Sequence, residues 1–322
     1  MSARLPASVS VFASLAFLLS SIGCWAEEFK PAEILNVEAE FQRLATDHNS
    51  IEFSFGALWA TQGNRLLRID AADHRIVEVE LQGGTTRQRA VAAGEGAVWI
   101  ADAGKGGIFK IDPRTNAVVA LFSAPMLSSQ GTIGVGEGAV WVLTAEDAEK
   151  TMTRLNAASG AVEAKISLPA PGAGVEVAYG SVWVTNPIEG ELYRVDVKTN
   201  ALVSTTKLRQ GPRYLTSGAD SIWVLNSGDA TVQRVDGRTA EVTATIAPTK
   251  GATKGDLAYG GGYVWLSSPR AGAILQIDPG SNRVIYSDVS RAAYGCMDRG
   301  IRYGSGSLWV WTDAIQRITP PK

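Results

Sequence analysis

Hydrophobic and polar positions along this chain fall into a repeat. A small residue, an apolar residue, Trp and a further apolar residue recur as Ala57-Leu58-Trp59-Ala60, Ala97-Val98-Trp99-Ile100, Ala139-Val140-Trp141-Val142 and Ser181-Val182-Trp183-Val184. The series continues at Ser221-Ile222-Trp223-Val224, Tyr263-Val264-Trp265-Leu266 and Ser307-Leu308-Trp309-Val310. Successive Trp residues lie 40, 42, 42, 40, 42 and 44 positions apart. That period suits one four-stranded blade of a toroidal all-β fold.

A second signal sets the register. Eleven to fifteen positions after each of the first six Trp residues stands an Asp or Asn directly preceded by an apolar residue: Ile69-Asp70, Ile111-Asp112, Leu155-Asn156, Val195-Asp196, Val235-Asp236 and Ile277-Asp278. Asp and Asn open turns because the side chain accepts a bond from the backbone two residues on. Four residues later come His74, Asn116, Gly160, Asn200, Ala240 and Asn282. Most of these residue types tolerate the left-handed backbone that hairpin turns need; Ala240 departs from the pattern. The β-rich runs that follow, such as Val77–Leu81, Val118–Phe122 and Val242–Ile246, read as outermost strands.

The chain is therefore expected to be all-β, a seven-bladed β-propeller of four-stranded blades. The order within each blade is inner strand, Trp strand, Ile-Asp strand, outer strand. The last unit stops at Arg317-Ile318-Thr319 with three strands. The run Ile34–Phe41 carries the pattern of an outer strand, so an N-terminal strand is expected to complete the last blade and hide two sheet edges. Each Trp reads as core between blades.

Composition agrees. The chain has 322 residues, 45% of them hydrophobic, with 34 Gly and 13 Pro; all-β folds of this length often form one domain. Residues 1–26 read as a signal peptide: Arg4 is the only charge before Glu27, Val9–Ile22 is apolar, and Cys24-Trp25-Ala26 offers a cleavage site. Residues 27–322 are then a single propeller domain, periplasmic or secreted. The alternative is a lipoprotein anchored through Cys24. No later stretch is long and apolar enough to span a bilayer as a helix. Without Arg4 the chain keeps 29 of its 30 basic residues against 32 acidic ones, a net of −3. That balance gives no electrostatic basis for nucleic-acid or membrane-surface binding. Cleavage after Ala26 leaves Cys296 alone, so no internal disulfide forms.

The segments Val182-Trp183-Val184-Thr185-Asn186, Ile222-Trp223-Val224-Leu225-Asn226 and Ile111-Asp112-Pro113-Arg114-Thr115-Asn116 resemble the group containing the streptogramin (virginiamycin B) lyases and the YVTN-type propellers. The resemblance covers roughly residues 34–319 and specifies fold more than activity. It implies, for the lyases, a Mg²⁺-assisted ring-opening site with His and Glu in the late blades. This chain has only His48 and His74, and none in blades six and seven. That weighs against lyase chemistry.

Candidate chemistry concentrates on one face. The loops entering the inner strands share that face with the variable loops after the Trp strands, and variable loops on a rigid scaffold commonly bind. Ten residues before successive Trp residues stand Asn49, Arg89, Gly131, Ala173, Arg213, Gly255 and Arg299. Arg89, Arg213 and Arg299, with Tyr214 and Lys254 nearby, predict a mouth that holds a small anionic molecule or a protein partner, since guanidinium forks suit carboxylate or phosphate. Local ion pairing is the competing account of the same residues. A second set, Asp47, His48, Asp256 and Asp298, with Glu52 on an inner strand, offers ligands for Mg²⁺ or Ca²⁺ without a compact metal-binding spacing. His74 belongs to a turn. Cys296 stands beside Asp298 without a matched His, and Trp311 is read first as core. No catalytic residue is assigned. The leading reading is a non-enzymatic, monomeric binding scaffold; the alternative is a metal-assisted lyase or lactone hydrolase. A third, an accessory component of a redox or cofactor system, finds neither support nor exclusion in the sequence.

Overall fold

A computed structural model describes residues 37–43, 50–81, 89–103, 106–124, 132–248, 255–268, 273–288, 300–311 and 314–320. These residues form twenty-eight strands, numbered β1 to β28 in chain order, and no helix. They pair as seven antiparallel four-stranded sheets, six of them from consecutive strands. The seventh has the order β1 (Val37–Arg43), β28 (Ala314–Ile318), β27 (Ser307–Trp311), β26 (Ile301–Gly304). The ring is thus closed as expected. Phe41 of β1 stacks on Trp309 with centroids 6.0 Å apart, and Glu38 meets Arg317 at 2.7 Å. Residues 34–36 of the expected closing strand lie outside the described residues, as do the signal-peptide segment and Cys24.

Each of the seven repeat Trp residues is at most 1% exposed. Each indole Nε1 donates to the carbonyl five residues back, at the end of its own inner strand, over 3.0–3.3 Å. In six blades the residue two places before the Trp is Ala or Ser, with Tyr263 in blade six, and the apolar neighbours complete seven inter-blade cores. Trp311 lies in one of these cores with Trp309, Leu67 and Ile315.

The third strand of a blade places a cation over the Trp ring. Arg68, Lys110, Arg154, Arg194, Arg234 and Arg317 sit 5.0–5.7 Å from the ring centroids of six blades. Five of these cations reach on to the Asp/Asn turn of the next blade. Lys110 donates to the Ala157 carbonyl at 2.7 Å, Arg154 to Val197 at 2.8 Å, Arg194 to Arg238 at 2.7 Å and Arg234 to Pro279 at 2.7 Å. Arg317 of blade seven donates to Ala71 of blade one at 2.7 Å and to His74 Nε2 at 3.0 Å. Cation–π attraction and charge-assisted hydrogen bonding therefore lock neighbouring blades with one side chain. Blade six breaks the series, with Gln276 paired opposite Trp265. The outer strand of blade seven is β1, from the other end of the chain, so blade seven has no Asp turn to receive a cation.

All six turn residues after the Asp or Asn have positive φ, between 54° and 72°, and Ala240 at 62° is among them. A left-handed Ala is strained relative to Gly or Asn, and the surrounding turn holds it there.

Candidate functional site: a charged cavity in the channel

The seven inner strands, β2 (Ile51–Ser54), β6 (Arg89–Gly94), β10 (Ile133–Gly136), β14 (Gly174–Ala178), β18 (Pro212–Gly218), β22 (Asp256–Gly260) and β26, surround the axis. The residue seven before each Trp pairs directly with it: Glu52, Ala92, Gly134, Glu176, Thr216, Ala258 and Arg302. The ring is uneven. Charge stands in blades seven, one and four, and small residues in blades two and three leave space. A cavity of about 240 Å³ fills that space, lined by residues from all seven blades, and it begins at the entry-loop ends of the strands.

On one wall Arg302 forms a triad. Its Nε donates to Glu52 at 3.0 Å and its Nη1 to Asp256 at 2.6 Å. Burial would lower the Arg302 pKa, but the Asp256 and Glu52 carboxylates outweigh it and raise it. Burial raises the Glu52 pKa, and Arg302 offsets part of that rise. On the opposite wall stands Glu176. Its Oε1 accepts from the Ser217 hydroxyl at 2.6 Å and the Ser217 amide at 3.2 Å. Burial pushes the Glu176 carboxyl up to about 7, the Ser217 hydroxyl opposes the rise, and the charge on Glu52 adds to it.

The sequence candidates are placed as follows. Arg213 and Tyr214 line the cavity; Arg213 is exposed, with its guanidinium 5.6 Å from the Tyr214 ring centroid. Arg89 is 2% exposed and turned into the protein. Its Nε and Nη2 lie 2.8 and 2.7 Å from Asp102 Oδ2, and Nη1 donates to the Gly63 carbonyl. The expectation that Arg89 joins the mouth is corrected: Asp102 pairs directly with it across β6 and the neighbouring strand β7 (Ala97–Asp102) and holds its charge inside. Asp256 lines the cavity as the partner of Arg302. Lys254, Arg299, Asp47, His48, Asp298 and Cys296 lie outside the described residues. Among the described residues, no group of three His, Cys, Asp or Glu side chains is placed to hold a metal ion. Glu176 and Arg302 were missed by counting ten residues back from each Trp; counting seven back aligns both.

An axial cavity with buried ionisable walls, in a closed seven-bladed ring, defines a β-propeller with a charged channel. The virginiamycin B lyase of Staphylococcus aureus has the same fold, with a TM-score of 0.73 and 17% identity over 88% of this chain and 98% of that one. A catalytically inactive variant of that enzyme with quinupristin gives 0.72 and 19% identity, over 88% and 99%. A streptogramin B lyase structure gives 0.71 and 20%, over 87% and 96%. At these identities the likeness is one of fold. No family model matches the chain, and no curated protein matches it in sequence. Among the described residues no helix is long and apolar enough to cross a membrane.

Proposed function

We propose that this chain is an exported β-propeller binding protein that holds a ligand in the channel cavity and its entry-loop mouth. The observation that carries this reading is the cavity wall. Glu52, Glu176, Asp256 and Arg302 stand around one concave space, where desolvation penalises the charges on Glu52, Glu176 and Arg302. An apolar plug would stabilise a channel more simply, and shifted ionisable groups in a concave site mark a candidate functional site. Export rests on the Arg4 and Val9–Ile22 pattern. The test is retention: the protein, purified from its native source, is denatured and the released small molecules are identified by mass spectrometry. Wild type should release a near-stoichiometric compound. Ala92→Leu, which projects into the cavity, should release far less while keeping the wild-type circular dichroism spectrum. Equal release from both, or none from either, counts against the reading.

The fold shared with the lyases favours one second reading, a metal-assisted lyase or lactone hydrolase. Incubation with quinupristin and Mg²⁺ separates the two: the binding reading expects the lactone to remain closed, and Mg²⁺-dependent ring opening that is lost in Asp256→Ala would replace it.

A further inference from the structure

The charges in the cavity do not balance in place. Arg302 is engaged by Glu52 through Nε and by Asp256 and the Ile301 carbonyl through Nη1, the last at 2.7 Å. Two ionic groups on the wall make no salt bridge among the described residues. Glu176 on β14 is held by Ser217 alone, through one of its two oxygens. Arg213 on β18 meets only the face of Tyr214. They belong to neighbouring blades, four and five, and to different depths. Arg213 is at the mouth end of β18, and Thr216, the β18 residue level with Glu176, is three residues further along, roughly 10 Å of strand.

This arrangement discriminates among ligands. A simple anion at Arg213 would enter a space walled by three carboxylates, Glu52, Glu176 and Asp256. A simple cation at Glu176 would leave the mouth guanidinium unmatched. The volume, about 240 Å³, is near the space of about eight waters and lies below the usual range for drug-sized pockets. A short linear molecule fits that limit.

We propose that the cavity takes a small zwitterion, with its cationic end against Glu176 and its anionic end against Arg213 beside Tyr214. This rests on the channel being a ligand site and names the class of its ligand. Docking is coupled to a proton. The charged groups facing Glu176 are Glu52 and Arg302 across the cavity; β10 presents none, β18 presents Ser217, and Tyr179 follows at the turn after β14. With its carboxyl raised to about 7, Glu176 is close to half protonated at neutral pH, and a cationic group docking there expels that proton.

The experiment is isothermal titration at pH 7 with ω-amino acids from 4-aminobutyrate to 8-aminooctanoate, with hexanoate and hexylamine as half-probes. At least one amino acid should bind ten-fold or more tightly than either half-probe. Arg213→Ala and Glu176→Gln, each with wild-type circular dichroism, should weaken it at least ten-fold. Titration in buffers of different ionisation enthalpy should show a fraction of a proton released by wild type and none by Glu176→Gln. Half-probes binding as tightly as the amino acids would overturn the proposal. So would failure of every amino acid while the native-source protein still releases a bound compound; that outcome leaves the channel as a ligand site of another chemistry. Absence of both binding and release overturns both readings.

Discussion

Replacing Glu176 by Gln should stabilise the protein in a pH-dependent way. Gln keeps an oxygen for the Ser217 hydroxyl and amide and carries no charge. A carboxyl whose pKa is raised on folding takes up a proton as the chain folds. Its penalty is therefore absent below the unfolded value of 4.5, grows as pH rises from 4.5 to about 7, and is constant above that. At roughly 1.4 kcal/mol for each pH unit, the full penalty is about 3 kcal/mol. Thermal melts of wild type and Glu176→Gln should thus superimpose near pH 4 and separate above pH 7, with the variant higher by on the order of 5 °C for a protein of this size. A constant difference across pH, or a variant less stable at pH 8, would show that Glu176 is ionised without cost in the native channel and would refute the assignment.

Other substitutions test the scaffold. Arg234→Ala removes a cation over Trp223 and bonds to the Pro279 carbonyl, Asn282 and Ser221; a loss of about 3 kcal/mol is expected in denaturant titration. Gln276→Arg should bring no comparable gain, because blade seven offers no turn to receive the new cation; strong stabilisation would contradict that account. Asp102→Ala strands the buried Arg89 guanidinium and should cost roughly 3–5 kcal/mol, with much of that recovered when Arg89→Met is added. Deleting residues 27–46 removes β1 and exposes an edge of blade seven, so melting should fall sharply; an unchanged melt would refute closure by the N-terminal strand.

The ring was legible in the chain because its determinants are local and repeated. A Trp needs an apolar strand on each side, and an Asp turn needs its left-handed residue four places on. Both requirements recur at a fixed period and predict blade number and register without reference to the rest of the molecule. Closure was legible for the same reason, since an outer strand missing at Ile318 reappears near Val37. The Trp-capping cations follow the same period, but their purpose, to hold the next blade's turn, emerges only when blades are set side by side. The site was less legible because its members come from blades far apart in sequence. Glu52 and Arg302 are separated by 250 positions, yet they meet across the seam. Arg89 shows the opposite case. Its partner Asp102 lies directly across one hairpin, so register alone assigns it to the interior. Counting from Trp to the mouth selected Arg213 and Tyr214, whereas Glu176 stands three residues deeper, where only side-chain size around the ring reveals the space it faces.

The most direct test of the central claim is a crystal structure of the protein purified from its native source, with the channel density examined between Glu176 and Arg213. The account predicts continuous density for a compact molecule, with one polar end within hydrogen-bonding distance of Glu176 and the other near Arg213. Separate ordered waters filling the same space, in protein that also releases no small molecule, would contradict it.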